Sequence, residues 1–224
     1  MYREQTRYGN DPRIVARAAP ATFNAPLKWH EPAKVFTCSW SDFFIEQADD
    51  WRSEAWKIIR RTPHLTYQIL TKRPENIMAR LPAGWGEGWP NVWLGVSVES
   101  QEYIGRAEEL IEIPCTIRFI SYEPALGPVD FYEVFKQGYI HWLISGGESG
   151  YNPRPANPQW FADVRDECCA CDVAYFHKQN GGSTKINGSY GGNVLMGEVH
   201  RQFPTRTQPC HAVDLPSASL QANH

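Results

Sequence analysis

The chain has 224 residues, 42% of them hydrophobic, and a formal net charge of −3. This length and composition suffice for one domain with a sizeable core. The slightly acidic balance gives no general attraction to nucleic acid or to anionic membranes. No run of about 18 apolar residues could cross a membrane, and the polar N-terminus has no signal-peptide core. These features predict a cytoplasmic protein with reduced cysteines.

Six short apolar runs, each typical of a buried parallel strand, follow a proline-rich lead-in formed by residues 1–33. Amphipathic or polar connections separate the runs, and this alternation predicts an α/β fold with right-handed crossovers. We expect an incomplete parallel βα barrel, similar to a TIM barrel with about six strands, over residues 34–205, and a disordered tail over residues 206–224. The predicted strands are Val35–Cys38, Thr66–Leu70, Val92–Val96, Ile117–Ile120, Ile140–Ile144 and Val173–Phe176.

Apolar residues at helical spacing predict the helices between these strands. The first helix has its apolar face at Trp51, Ala55, Ile58 and Ile59, and Thr62-Pro63 ends it. Further helices are predicted over residues 75–81, around residues 103–111, from residue 130, and from Pro158 onward with Asn157 as the capping residue.

The cysteines and histidines do not predict a metal site. Only Cys168 and Cys171 have C-x-x-C spacing, and no histidines form an H-E-x-x-H pattern. Cys168, Cys169 and Cys171 are close in sequence, but neighbouring residues of a helix point in different directions.

Each apolar run ends in polar or charged residues, which is the strongest functional signal in the chain. The carboxyl ends of parallel strands supply the active-site groups of βα barrels and open α/β sheets. We therefore expect these residues to surround one cavity, called the mouth below, with Trp40 and Trp93 lining the mouth or the barrel wall. They are Ser39, Ser41 and Asp42; Thr71, Lys72 and Arg73; Ser97 and Glu99; Ser121 and Glu123; Gly146, Gly147 and Glu148; and Lys178 and Gln179.

Two kinds of role are predicted for these residues. The candidate catalytic groups can carry protons or substrate charge; they are Lys72, Glu123, Glu148 and Lys178. The candidate cofactor-binding groups offer hydroxyls, carboxylates or glycine N–H groups; they are Ser39, Ser41, Asp42, Ser97, Glu99, Gly146 and Gly147. In the competing interpretation these charges are only solvated or paired, with Glu123 bonded to Lys72 or to Arg118, a further cation near a strand end.

Seven segments resemble one known family in the same order along the chain. They are FTCSWSDFF, YQILTKRPENI, PNVWLGVSVES, RFISYEPALGPVD, WLISGGESG, NPRPANPQW and FHKQNGG. The family is the phage-associated three-cysteine-motif family, whose members resemble radical S-adenosylmethionine enzymes, and the resemblance covers residues 1–205. It implies a barrel that binds an iron–sulfur cluster and S-adenosylmethionine, and, by analogy with the phage context, a nucleotide or nucleic-acid substrate.

The chain departs from that family's pattern at its start. The family has a strand and a cysteine triplet ending in C-x-x-C-Y before the stretch that resembles Met1-Tyr2-Arg3, and none of the six cysteines here has cluster spacing. We therefore expect a chain truncated just after the cysteine motif. Its first strand, Val35–Cys38, would form an open edge beside Phe36, Phe43 and Phe44, which predicts self-association or pairing with a partner encoded upstream.

Three functions follow from these observations. The first is a radical-enzyme scaffold without its cluster, catalytically incompetent, whose strand-end pocket holds S-adenosylmethionine or a nucleotide-like ligand. The second is a non-radical binding protein that uses the same pocket. The third is an acid–base barrel enzyme that acts on a nucleotide or nucleic acid through Lys72, Glu123 and Glu148.

Overall fold

The computed structural model describes residues 15–39 and 41–205, and its centre is a single sheet of six parallel strands. Each strand pairs with the next one in the chain, and the sheet curls into a half barrel. This confirms an α/β fold with about six parallel strands. The strands are β1 (Ala33–Thr37), β2 (Leu65–Thr71), β3 (Val92–Ser97), β4 (Ile117–Tyr122), β5 (Trp142–Gly146) and β6 (Ala174–Gln179).

Five α-helices accompany the sheet in the described residues: α1 (Pro20–Phe23), α2 (Asp49–Arg61), α3 (Gly105–Ile111), α4 (Tyr132–Phe135) and α5 (Pro158–Ala170). A short antiparallel hairpin, β7 (Lys185–Ile186) and β8 (Ser189–Tyr190), follows β6. The predicted cap of α5 is confirmed, because the Asn157 side chain accepts the N–H of Gln159 at 3.0 Å. None of these helices is long and apolar enough to cross a membrane.

The predicted helix over residues 75–81 is wrong. This segment forms two 3₁₀ turns, Pro74–Asn76 and Met78–Arg80. Asn76 and Ile77 are buried, while Met78 is exposed, so the segment has little apolar surface to hold an α-helix against the sheet. The Asn76 side chain also donates to the Phe44 carbonyl at 3.1 Å, which fixes the first turn to the loop after β1.

The two faces of the sheet have separate apolar cores. On the outer face, strand residues such as Leu94 and Leu143 pack against helix residues such as Trp56 and Phe161. On the concave face, the core consists of Trp93, Ile117, Phe119 and Trp142, with Leu70, Ile144, Ala174 and Phe176 around them. Trp93 thus belongs to the barrel wall, as the sequence predicts, and Trp40 lies outside the described residues.

Large aromatic rings fill the concave face because one glycine makes room for them. Phe119 covers Gly95 on the neighbouring strand, and a Cβ at position 95 would lie 2.4 Å from its ring. The Trp142 ring lies 5.8 Å from both Phe119 and Trp93 between ring centroids. The concave side of the sheet, away from the carboxyl ends of the strands, is therefore a packed core and not a channel.

The two edges of the sheet differ. No described strand pairs with the outer edge of β1, where Phe36 is 47% exposed. Beside β6, His177 N–H donates to the His200 carbonyl at 3.0 Å and Gln202 N–H donates to the Tyr175 carbonyl at 3.0 Å, so residues 200–202 cover that edge. The expectation for Phe43 and Phe44 is wrong, because both are buried near Trp56 and not at the open edge.

One ring connects the two edges. Phe203 packs against Trp142 and Phe176 with centroid distances of 5.2 Å and 5.5 Å, and Lys34 Nζ of β1 lies 4.4 Å from its centroid. The expected disordered tail, residues 206–224, and the first 14 residues of the lead-in lie outside the described residues.

Candidate functional site

The carboxyl ends of the six strands gather nine charged side chains into four groups of ion pairs, called the ion-pair belt below. Its members are Asp42 with Arg73; Lys72 with Glu99 and Arg106; Glu123 with Lys178; and Glu148 with Arg154. Most of the predicted mouth residues therefore do meet at one end of the sheet. The competing interpretation, that their charges are paired, also describes this arrangement.

Asp42 is buried and joins the loop after β1 to the end of β2. Its Oδ1 accepts the N–H of Phe44 at 2.9 Å and the hydroxyl of Thr71 at 2.7 Å. Its Oδ2 accepts the N–H of Lys72 and an N–H of the Arg73 guanidinium, both at 3.1 Å. Four donors occupy this carboxylate, which makes Asp42 a support for the mouth.

Glu99 is the buried anion at the end of β3. One oxygen contacts Lys72 Nζ, and the other accepts from Arg106 Nη1 at 2.9 Å. Arg106 also donates to the Ser97 carbonyl at 2.9 Å, so it fixes the turn between β3 and α3. The side chain of Glu99 is 7% exposed and that of Lys72 is 41% exposed, so a ligand reaches the lysine more easily.

The pKa of Lys72 is lower than that of an ordinary lysine. Burial and, secondly, the Arg106 guanidinium lower the pKa of Lys72 to about 8. The carboxylate of Asp42 opposes this shift because it stabilises the ammonium. An amine with a pKa this close to neutral can exchange a proton with a ligand under ordinary conditions.

Glu123 and Lys178 form the second centre of the belt. Lys178 Nζ lies 2.9 Å and 3.0 Å from the two oxygens of Glu123, and Gln179 Nε2 lies 3.4 Å from one of them. Lys178 and Gln179 lie within β6, whereas the predicted strand ends at Phe176. The Glu123 side chain is 19% exposed and that of Lys178 is 54% exposed, so this pair faces solvent.

Glu123 is held over Gly146, the last residue of β5. A Cβ at position 146 would lie 3.2 Å from Cδ of Glu123. Because Gly146 alternates with Trp142 and Ile144 on the concave face, Glu123 lies on that face too. By the same alternation Lys178 follows Phe176, and Lys72 follows Leu70, so the charged pairs cap the concave core.

Glu148 forms a salt bridge with Arg154. Its carboxylate accepts Arg154 Nε at 2.8 Å, Nη2 at 2.7 Å and the Arg154 backbone N–H at 2.7 Å. These bonds lower the pKa of Glu148 to about 2. Glu148 is therefore ionised at neutral pH and cannot donate a proton there.

Gly147 does not present its N–H to a ligand, so that expectation is wrong. Its N–H donates to the Gln179 carbonyl at 3.0 Å. A Cβ at position 147 would lie 2.1 Å from the Asn180 carbonyl oxygen. This glycine lets the loop after β5 lie directly against the end of β6.

The remaining candidates are distributed as follows. Ser39 and Ser41 are exposed, and Ser41 N–H donates to the Cys38 carbonyl at 2.9 Å. Ser97 and Ser121 are buried and face each other in register on β3 and β4, next to the mouth. Their hydroxyls thus lie between the Lys72 and Glu123 groups.

Arg118 is not part of the mouth. It lies near the start of β4, where Nε donates to the Leu110 carbonyl at 3.1 Å and Nη2 to the Ile113 carbonyl at 2.6 Å. These contacts hold the C-terminal end of α3, where a cation is favourable. The predicted pairing of Glu123 with Lys72 or Arg118 is wrong, because its partner is Lys178.

The structure also shows a buried polar network that the sequence interpretation did not identify. Ser145 Oγ lies 2.9 Å from His177 Nδ1 and 2.7 Å from the Tyr175 hydroxyl, and His177 Nε2 lies 2.9 Å from Asn180 Oδ1. The Asn180 amide donates to the Gly191 carbonyl at 3.0 Å, so its oxygen faces His177 and Nε2 must donate.

This Ser–His–Asn series resembles a catalytic triad in composition, but both Ser145 and His177 are fully buried on the outer face of the sheet. Burial lowers the pKa of His177, which favours the neutral imidazole. The network therefore joins β5, β6 and the segment after β8, and it offers no nucleophile to a substrate. The register pair Ser145 and His177 follows from strand alternation, which is the signal that could have revealed it.

Within residues 15–39 and 41–205, no group of three histidine, cysteine, aspartate or glutamate side chains is arranged to hold a metal ion. These residues do not fit an iron–sulfur cluster.

Together, the fold and the belt define an α/β half-barrel protein whose charged groups gather at the strand ends. The chain belongs to the family described as Protein of unknown function (DUF5131), whose sequence profile matches residues 2–204. No curated protein and no solved structure matches the chain at a significant level.

Proposed function

We propose that the mouth binds a zwitterionic, nucleotide-like ligand, with S-adenosylmethionine as the representative compound. The observation that carries this proposal is the solvent-facing pair of Glu123 and Lys178 on the concave side of the sheet. Parallel α/β sheets hold their ligands at this end of the strands. The resemblance of seven segments to a radical S-adenosylmethionine-like phage family supports the choice of ligand.

A zwitterion suits this pair for an electrostatic reason. Separating Glu123 from Lys178 leaves two partly buried charges without partners, which is costly unless the ligand supplies both replacements. The amino group of S-adenosylmethionine can bind the carboxylate of Glu123, and its carboxylate can bind Lys178. The Gln179 amide, already 3.4 Å from Glu123, offers a third polar contact.

The other belt residues have supporting roles in this proposal. Ser97 and Ser121 can donate hydroxyl hydrogen bonds to ribose, and Glu99 positions Lys72 beside them. Asp42 accepts hydrogen bonds from the turn that follows β2, so the backbone around Lys72 and Arg73 stays fixed. The protein then acts as a binding scaffold.

Calorimetric titration of the purified chain tests this proposal, with S-adenosylmethionine compared with adenosine and methionine. Glu123→Gln and Lys178→Met should each weaken S-adenosylmethionine binding at least about tenfold, since each leaves one ligand charge unpaired. The matched control is Lys136→Met, because Lys136 pairs with Glu133 on the exposed surface of α4. No binding by the wild-type chain, or equal losses in the control, would refute the proposal.

A second function, acid–base catalysis on a nucleotide, is favoured by one observation: the lowered pKa of Lys72 beside Glu99. In that case Lys72→Met should abolish turnover of a nucleotide substrate while its binding persists. Nucleotide panels assayed by chromatography at several pH values would detect the product. Loss of binding together with turnover would assign Lys72 to ligand binding alone.

A further inference from the structure

A groove with a volume of about 530 Å³ lies on the helix side of the protein, apart from the mouth. One wall is the face of α2 that carries Ser53, Lys57 and Arg60, and the other is the segment 79–83. Trp56 and Trp89 also line it, and it shares no residue with the ion-pair belt. We call it the basic groove.

The groove has the opposite charge to the whole chain. Four cations (Arg52, Lys57, Arg60 and Arg80) and one carboxylate (Asp49) line it, which gives a local net charge of +3 on a chain of net charge −3. A concave surface of one sign concentrates ligands of the other sign. The ligand of this groove should therefore be anionic.

Two of the four cations are exposed, whereas the other two are held by hydrogen bonds within the protein. Arg52 is buried and donates to Phe43 and Ile45 carbonyls, and Arg80 donates to Asp49 at 2.9 Å. Lys57 and Arg60 lie one helical turn apart on the exposed face of α2, and neither forms an ion pair within the residues that the structure describes. They are available to an external anion.

Two indole rings lie beside these exposed cations. The Arg60 guanidinium is 6.0 Å from the centroid of Trp89, and the rings of Trp89 and Trp56 are 5.6 Å apart and nearly perpendicular. The indole N–H of Trp89 donates to the Gly84 carbonyl at 3.1 Å, and that of Trp56 donates to the Arg80 carbonyl at 3.0 Å. Both indoles are thus fixed in place, and Trp89 is only half-buried.

From these features we infer that the basic groove binds a short stretch of single-stranded nucleic acid. Phosphates contact Lys57 and Arg60, and a base packs on Trp89. A cationic groove with an aromatic surface is the general means by which proteins hold single strands without reading sequence. The groove follows α2 for about 16 Å, a length that suits a few nucleotides. An acidic peptide would satisfy the cations but would not use the fixed indole.

Fluorescence anisotropy of a labelled short oligothymidylate with the full chain tests this inference. Lys57→Met and Arg60→Met should each weaken binding several-fold, and each should reduce the dependence of log affinity on log salt by about 0.7. The matched control is Arg61→Met, which removes the neighbouring exposed cation of the same helix outside the groove. The mouth variant Lys178→Met should bind the oligonucleotide like the wild type.

Each other outcome contradicts the inference. Equal weakening by Arg61→Met would mean diffuse attraction to the helix and not a site. Displacement of the oligonucleotide by polyglutamate of equal charge at equal concentration would assign the groove to acidic peptides. Absence of binding at low salt would exclude nucleic acid. Loss of binding in Lys178→Met alone would move the nucleic-acid site to the mouth.

Discussion

Lys178 Nζ reaches Glu123 across an intervening strand. Glu123 follows β4 and Lys178 lies in β6, and the two are joined at 2.9 Å above Gly146, the end of β5. Any side chain at the end of β5 would enter the space that the Glu123 carboxylate occupies. The sequence predicts Gly146 to bind a ligand, and the structure shows that its missing side chain also leaves room for Glu123.

Gly146→Ala should displace Glu123, since the new Cβ would lie 3.2 Å from its Cδ and 3.3 Å from its Cγ. We expect a loss of roughly 1 kcal/mol in the free energy of unfolding, measured by urea denaturation. In a Glu123→Ala background the same substitution should cost much less, because the clashing group is gone. Equal costs in both backgrounds would mean that the glycine serves some other purpose.

Gly95→Ala should destabilise the protein more strongly. The new Cβ would lie 2.4 Å from the Phe119 ring, which is fully buried and cannot turn away. Overpacking of this kind costs about 1–3 kcal/mol. Gly127→Ala is the matched control, because a Cβ at position 127 meets no atom within 4 Å. If the two alanine variants melt at the same temperature, Phe119 does not lie over Gly95.

Asp42→Ala should cost more than Asp42→Asn. Alanine leaves the buried N–H of Phe44 and the Thr71 hydroxyl without their acceptor, at about 2–4 kcal/mol in total. Asparagine keeps one oxygen of the same shape and retains part of these bonds. Denaturant unfolding of the three proteins measures both losses. Equal stability of Asp42→Ala and the wild type would show that this loop is not tied to β2.

Glu167 should make stability depend on pH. It lies on α5 and accepts the Phe131 N–H at 2.8 Å, and burial raises its pKa to about 7, with help from Asp130 and Asp163. A carboxyl whose pKa is raised on folding stabilises the protein below its unfolded pKa, and this contribution is lost as pH rises through the folded value.

Glu167→Gln keeps the acceptor for Phe131 but cannot ionise. Between about pH 4.5 and pH 7.5 the wild type should lose roughly 1 kcal/mol relative to this variant, a figure discounted because the group is half exposed. Melting temperatures across this pH range provide the measurement. The melting temperature of Glu133→Gln, a change on the exposed surface of α4, should vary with pH in parallel with that of the wild type. A parallel curve for Glu167→Gln as well would contradict the prediction.

The sheet could be predicted from sequence because each buried parallel strand is a local signal. The runs at Val92–Val96 and Ile117–Ile120 lie within strands of nearly the same bounds. Lys72 and Glu123 therefore lie at the carboxyl ends of β2 and β4, where the order of residues along each strand predicts them. These inferences need only the order of residues along one strand.

The partners within the mouth could not be predicted, since they depend on three-dimensional distances. Glu123 meets Lys178 55 residues later, and the Gly147 N–H finds its acceptor 32 residues later in Gln179. Arg106 fixes Glu99 from the helix that follows β3, where its charge looks like an ordinary solvated residue. The sequence places Arg118 near the mouth because of its charge. Its position near the start of β4, however, puts its side chain at the opposite end of the sheet, where it binds the end of α3.

The contact between Lys34 and Phe203 determines when, during synthesis, the two edges of the sheet can be joined. The ribosome makes β1 early and Phe203 near the end of the described chain, yet these residues lie together at 4.4 Å. The strands can pair in succession as they emerge, because every neighbour in the sheet is also the next strand in the chain. The β6 edge is covered, and the contact with Lys34 forms, only when the segment after β8 arrives, so a chain interrupted before residue 200 would carry a paired sheet with both edges open.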